Sequence, residues 1–321
     1  PMTATDARPA RAAPSDVADA PPDEADGTPV PEQTTAGAPA GTSGLRRISA
    51  APPRRGRRVP DVVLQVVPPL VVFALAIGVW LAFSYVLLDE RRRFLLPPPH
   101  DVFTEGILDA ENRTEILWGL WSTTKVAMTG LGVAIVIGLG AAVAMSQARW
   151  VERSLYPYAV LLQTIPVLAL VPVVGFWWGF NFRSRVTVCV IMALFPIITN
   201  TLFGLRSADP GLHDLFTMHR VGRWRRLVRL QLPNALPAVF TGLRISAGLS
   251  VIGAIVGDFF FRQGEPGIGR LLDIYRADMA SELLYTAVFL SSALGFAVFV
   301  LFGVLGNRLT HHWHESGMQH T

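Results

Sequence analysis

Six apolar runs, each close to the length that crosses a bilayer, leave this 321-residue chain few folds to adopt. A hydrocarbon core about 30 Å thick takes roughly 20 helical residues. Segments 62–88, 126–145, 156–178, 186–205, 236–261 and 283–305 meet that length. Their interruptions are few. Gln65, Ser84 and Tyr85 fall in the first, and Gly130, Gly132, Gly138 and Gly140 lie in the second. Small residues of that kind let helices approach closely. Pro157, Pro166 and Pro172 predict that the third is kinked or broken. Pro196 and Asn200 lie in the fourth, the charges Arg244 and Asp258 in the fifth, and a Ser291–Ser292 pair in the sixth. The expectation is an all-α polytopic membrane protein with about six transmembrane helices.

Composition excludes the soluble alternative. Hydrophobic residues make up 51% of the chain and charged residues only 16%, against about 25% charged in soluble domains. Of the 28 basic residues, Lys125 is the single lysine. The arginines flank the apolar runs, so they report membrane topology and not nucleic acid. A lone cysteine, Cys189, allows neither an intrachain disulfide nor a cysteine metal cluster.

Residues 1–60 are rich in Ala, Pro, Thr, Asp and Gly without helical periodicity, which predicts a disordered tail. It lacks the apolar core of a secretory signal, so the amino terminus is expected in the cytoplasm. Its arginines, Arg46 to Arg58, set topology or touch anionic lipid heads, and the first reading is preferred. Residues 61–95 hold the first transmembrane helix and its flank, 96–308 the main transmembrane domain, and 309–321 a second cytoplasmic tail. His311, His312 and His314 in that tail read as solvated rather than metal-binding. With both termini inside, arginines near the span ends number 15 inside and 9 outside, as positive residues prefer. The run Arg91-Arg92-Arg93, beside Asp89 and Glu90, goes against this bias.

The loop between the fourth and fifth spans carries the most information. It contains Asp209-Pro210-Gly211-Leu212-His213-Asp214-Leu215-Phe216 and then Arg223-Trp224-Arg225-Arg226-Leu227-Val228-Arg229-Leu230-Gln231-Leu232-Pro233. Trp224, Leu227, Val228 and Gln231 share one face of a short helix, with Arg225, Arg226 and Arg229 opposite. Pro233 and Pro237 then set the start of the next span. A basic amphipathic loop of this kind lies on the membrane surface or docks a cytoplasmic partner.

This stretch resembles the cytoplasmic loop of the permeases of binding-protein-dependent ATP-binding-cassette (ABC) importers, in their nitrate, sulfonate and taurine branch. Aligned on Arg223-Trp224, Asp214 takes the acidic position of that loop, Leu215-Phe216 the two alanines and Leu232-Pro233 the Leu-Pro pair. The family glycine is replaced by Arg220, with Gly222 two residues on. Leu96-Pro97, Asn200, Leu205-Arg206-Ser207, Thr241-Gly242-Leu243-Arg244-Ile245, Asp258-Phe259-Phe260 and Gly267-Ile268-Gly269 also fit. The resemblance covers about residues 96–305.

The resemblance implies that this loop holds coupling helices, made by Asp214, Leu215, Phe216, Arg220, Gly222, Arg223, Trp224, Leu227, Val228 and Pro233. They would sit in a groove of a cytoplasmic ATPase and pass its closure to the membrane helices. It further implies two ATPase copies, a second permease copy as homodimer partner, and an extracytoplasmic solute-binding protein. The expected place is the bacterial cytoplasmic membrane. No Gly-x-x-x-x-Gly-Lys-Ser/Thr loop is present, so ATP and Mg are expected on the partner and no cofactor on this chain. No catalytic or metal-ligating set stands out.

Arg244 and Asp258 are the charges to be explained, since each costs several kcal/mol near the bilayer centre unless paired or wet. They lie fourteen residues, or about 21 Å of helix, apart and within about 40° of one face. Either both line a translocation path, or Arg244 snorkels inward and Asp258 sits at the external mouth. Gln163, Thr164 and Asn200 join helices by hydrogen bonds or meet the substrate. Beyond the fifth span, Ile268, Leu271, Leu272 and Tyr275 form an apolar face opposite Arg270, Asp273 and Arg276, an external helix that lids the pore or rests on lipid. The rival functional reading is a secondary transporter, which needs an ion-coupling site and inverted repeats. A membrane-embedded enzyme would need clustered His, Asp or Ser within the spans.

Overall fold

The computed structural model describes residues 61–261 and 263–314, and every regular element among them is helical. The expected amino-terminal tail, residues 1–60, and the end of the carboxy-terminal one, residues 315–321, lie outside the described residues. In chain order the α-helices are α1 (Asp61–Ala82), α2 (Pro99–Phe103), α3 (Ala110–Gln147), α4 (Arg149–Thr164), α5 (Val167–Trp178) and α6 (Phe182–Arg206). They are followed by α7 (Pro210–Met218), α8 (Arg223–Arg226), α9 (Leu232–Phe260), α10 (Ile268–Ala277) and α11 (Ser281–His314). Single π-turns follow α1, α2 and α8.

Five of these helices, counting α8 and α9 as one continuous rod, are long and apolar enough to cross a membrane. The pair α4–α5 is bent by 106° at Ile165–Pro166, where Pro166 precludes continuation of the helix. Its ends decide whether it crosses or turns back. Glu152, in the first turn of α4, pairs with Arg206 at the last residue of α6. Just past α5, the Phe180 carbonyl accepts from Gln263 N–H, beyond the end of α9, and the Phe180 ring meets Phe261. Since α6 is 25 residues, about 37 Å long, the bent pair joins opposite ends of the bundle. It is a sixth, broken span.

Helices α3, α6 and α9 form the centre. Val126, Leu131 and Ala134 of α3 pack with Cys189, Ala193 and Ile197 of α6 and Ala247, Val251 and Ala254 of α9. Lipid tails are as apolar as leucine, so close packing and hydrogen bonds hold such helices together. Gly130 and Gly138 face Cys189 and Ile197, and a Cβ at Gly138 would come 2.7 Å from Ile197 Cγ2. Gly132 and Gly140 meet nothing within 4 Å, so only half of the glycines serve this contact. The Ser246 hydroxyl donates to the Ala193 carbonyl and Ser250 to Ala127, each at 2.6 Å.

The second span begins far earlier than its apolar run. Asp109 caps α3 by accepting from Glu111 and Asn112 N–H at 3.0 Å. The extra turns receive α10, whose Ile268, Leu271 and Tyr275 are buried with Ile116 and Ala287 of α3 and α11. Tyr275 also donates to Glu115 at 2.9 Å, and burial, together with that carboxylate, holds the phenol above its ordinary value. The apolar face read from the sequence is thus covered by protein, not lipid. Helix α1 touches the rest mainly where Trp80 meets Tyr285 and Phe289 of α11 and donates to the Pro97 carbonyl at 3.1 Å.

Candidate functional site: a basic elbow and a buried charge cluster

The loop singled out from the sequence is an ordered elbow. Asp209 caps α7 through Gly211 N–H at 2.6 Å, with Pro210 as first helical residue. At the far end, Val221 N–H bonds back to the Phe216 carbonyl and Arg220 N–H to Thr217, each at 3.0 Å. These are the paired bonds of a Schellman termination, which needs a left-handed residue. Arg220 supplies it, with φ of 50°. The position at which the resembled family carries glycine is therefore the one where the backbone favours glycine. Gly222 then starts α8 in extended conformation, with a φ of −62°.

Helix α8 runs into α9 through the π-turn Leu227–Gln231. A proline ring clashes with the carbonyl four residues earlier, and Pro233 puts that clash at Arg229, within the widened turn. Arg226 ties the two arms of the elbow by donating to the Thr217 hydroxyl at 2.8 Å, and Asn234 donates to Ser207 at 2.9 Å.

The elbow's apolar side chains go two ways. Leu227 is 1% exposed, in the core with Leu205 and Ala235, while Trp224 is 72% exposed and Val228 is also exposed. Around a helix, Leu227 lies about 60° to one side of Trp224 and Val228 about 40° to the other, and the core lies on the Leu227 side. Gln231 turns inward with Leu227, and the Gln147 amide donates to it at 3.4 Å. On α7, Leu212, Leu215 and Met218 are exposed and Phe216 is half-buried; Asp214 is exposed beside them. Arg220, Arg223, Arg225 and Arg229 are also exposed.

The polar residues within the spans do not form one group. Asp258, fully buried near the end of α9, meets Arg185 of α6 at 3.0 Å. It also accepts from the Thr123 hydroxyl of α3 and from Gly269 N–H in the first turn of α10. Thr123 in turn accepts from Ile268 N–H at 2.8 Å. The Arg185 guanidinium reaches the Gln263 and Glu265 carbonyls at 2.7 and 3.1 Å. A Cβ on Gly267 would collide with Asp258 Oδ2, and one on Gly269 with the Ile255 carbonyl. The Gly-Ile-Gly motif exists so that α10 can close onto this carboxylate. Four helices and a loop are locked together at one point.

Arg244 takes no part in it: its guanidinium stacks 4.0 Å over the Phe299 ring of α11, beside a cavity of about 190 Å³ with Thr241, Phe302 and Asn307. Asn200 is half-buried, donates to the Pro196 carbonyl at 2.8 Å within its own helix, and lies against Gly242. Gln163 and Thr164 are exposed in the last turn of α4, at the break in the third span. Sequence reasoning missed Arg185, counted among the external span-end arginines; its signal was a place directly before an apolar run, which the first turn of α6 brings inside the helix. Near it, Lys125 and Glu265 pair at 2.7 Å beside a cavity of about 890 Å³ lined also by Trp121 and Phe182. Glu265 is held below its ordinary value, first by the Lys125 hydrogen bond and then by its charge.

Comparison with known proteins agrees with these motifs. The family described as binding-protein-dependent transport system inner membrane component matches residues 134–311. The formylaminopyrimidine transport permease ThiX of Halalkalibacterium halodurans is 31% identical over 76% of this chain and 95% of its own length. The riboflavin transport system permease RibX of Chloroflexus aurantiacus is 30% identical over 72% of this chain and 85% of its own. The nitrate import permease NrtB of Synechocystis is 26% identical over 77% and 90%. In fold, the chain is similar to an inward-facing structure of the MetNI methionine ABC transporter, with a TM-score of 0.55, at 17% identity, over 64% of this chain and 98% of that one.

Proposed function

This chain belongs to the binding-protein-dependent transport system inner membrane component family and is a permease subunit of an ABC importer, and from that premise we propose that the α7–α8 elbow docks the ATPase. The ATPase is a separate chain. The observation that carries the proposal is the exposure of Trp224 and Met218, 72% and 78%, at the tip of an otherwise hydrogen-bonded elbow. With Leu212 and Leu215 they make an apolar patch ringed by arginines, the composition of a docking surface. The rod from Arg223 to Phe260 is continuous, so a push on the elbow moves a membrane helix.

In this reading two ATPase copies, holding ATP and Mg, engage two permease copies, and an extracytoplasmic binding protein delivers the solute at the α10 end. The arginine-rich elbow end is cytoplasmic, with both termini on that side. A break in a membrane helix is tolerated only against water or protein, since its freed backbone groups need partners. That supports placing Gln163 and Thr164, at the α4–α5 break, on the translocation path; Asn200, Arg244 and Asp258 are less directly placed for it. The solute is a small polar molecule, of the formylaminopyrimidine, riboflavin or nitrate kind that the relatives' names carry, or a sulfonate as the resemblance implies. The test is copurification of the partner ATPase by wild-type and Trp224→Ala permease at matched expression. Recovery is expected to fall several-fold; equal recovery would move the docking surface off the elbow.

A further inference from the structure

We propose that a crevice between α3, α4 and α6, at the elbow end of the bundle, binds the phosphodiester headgroup of an anionic phospholipid. It is a cavity of about 720 Å³ lined by Arg149, Glu152, Arg153, Tyr156 and Pro157 of α4, with Arg206 from the end of α6 and Ser146 from α3. The α4 residues recur at three- and four-residue intervals, so a single helix face lines it.

Its charge is unbalanced. Glu152 is held by both terminal nitrogens of Arg206, which removes one cation from play. Arg149 and Arg153 lie within electrostatic reach of that same carboxylate, and among the described residues neither forms an ion pair of its own. The cavity therefore carries two positive charges in excess. Guanidinium groups bind phosphate oxygens through paired N–H donors.

A membrane source for the phosphate follows from the neighbours. Tyr156, which lines the crevice, is 40% exposed, and Trp150 and Tyr158, on other sides of the same helix, are 74% and 66% exposed. Tryptophan and tyrosine with one wet end and one apolar end concentrate at headgroup depth, and basic pockets between spans take anionic headgroups there. Aromatic residues on several sides of α4 set that helix, and the crevice on its inner face, at headgroup depth. Arg149 also lines an adjoining crevice of about 490 Å³ with His213, Arg223 and Arg226, so the headgroup sits one side chain away from the elbow.

The experiment takes the purified full-length permease in detergent and adds phosphatidylglycerol or phosphatidylcholine. Bound lipid is counted by native mass spectrometry for wild type, Arg149→Gln/Arg153→Gln and Arg149→Lys/Arg153→Lys. Both arginines are exposed, and unchanged melting midpoints verify the fold. Phosphatidylglycerol should be retained over phosphatidylcholine, about tenfold or more less by the glutamine variant, with the lysine variant in between. Equal retention by wild type and glutamine variant overturns the proposal. So does displacement of the lipid by millimolar inorganic phosphate, which would make this a soluble-anion site. Loss of ATPase copurification with lipid retention intact would assign the arginines to a protein partner instead.

Discussion

Arg185 and Asp258, 73 positions apart in the chain, meet at 3.0 Å with side chains 4% and 0% exposed. Breaking a buried pair from one side leaves an uncompensated charge, at a cost of about 3–5 kcal/mol. Asp258→Asn should therefore lower the thermal midpoint in detergent markedly. Pairing it with Arg185→Met should recover part of the loss; the remainder reflects the Gln263 and Glu265 carbonyls that Arg185 also serves. A single variant with wild-type stability and altered transport would return Asp258 to the aqueous path.

The left-handed Arg220 leads to a gain. A non-glycine side chain in that conformation costs about 1–2 kcal/mol, partly offset by the freedom glycine has in the unfolded chain. Arg220→Gly should stabilise by about 0.5–1 kcal/mol, whereas the β-branched Arg220→Val should destabilise. Differential scanning of the two variants checks the order.

Leu227 and Trp224 are three residues apart and answer to different forces. Leu227→Asp places a carboxylate in the core cluster, at a cost of several kcal/mol, so the yield of folded permease should collapse. Trp224→Asp should leave yield and melting unchanged while affecting only ATPase recovery. Size-exclusion profiles of both variants separate the outcomes.

At the opposite end of the bundle, the Lys125–Glu265 tie predicts a pH dependence. The folded-state pKa of Glu265 is depressed, so its contribution is present above the ordinary glutamate value of about 4.3 and fades as pH falls through the lower folded value. The melting difference between wild type and Glu265→Gln should be small near neutrality, because both partners are exposed, and vanish at the acid end.

What the sequence disclosed follows from the range of the forces involved. Spans were legible because lipid imposes a length on them, and Pro157, Pro166 and Pro172 marked the third as kinked or broken, although the break falls at Pro166 alone while Pro157 and Pro172 lie inside helices. The exception at Arg220 was visible through the family resemblance. Partners were not legible. Periodicity put Leu227 and Trp224 on one face without saying where the core began. It gave α10 an apolar face without showing that Ile116 and Ala287 cover it. Asp258 and Arg244 share a side of α9 by angle, yet their neighbours come from α6 and α11, which angle alone does not supply.

The charge cluster at Asp258 also sets an order of assembly. A chain enters the membrane from its amino terminus, as domains fold during synthesis, so Arg185 arrives while its counter-ion is still 73 residues from being made. It lies one turn inside the start of α6, close enough to the interface for its guanidinium to stay with water and headgroups. Only when α9 follows can that charge be drawn in, and only when Gly267–Gly269 closes is Asp258 sealed. A chain halted before α9 keeps Arg185 without the carboxylate that pairs with it in the finished bundle.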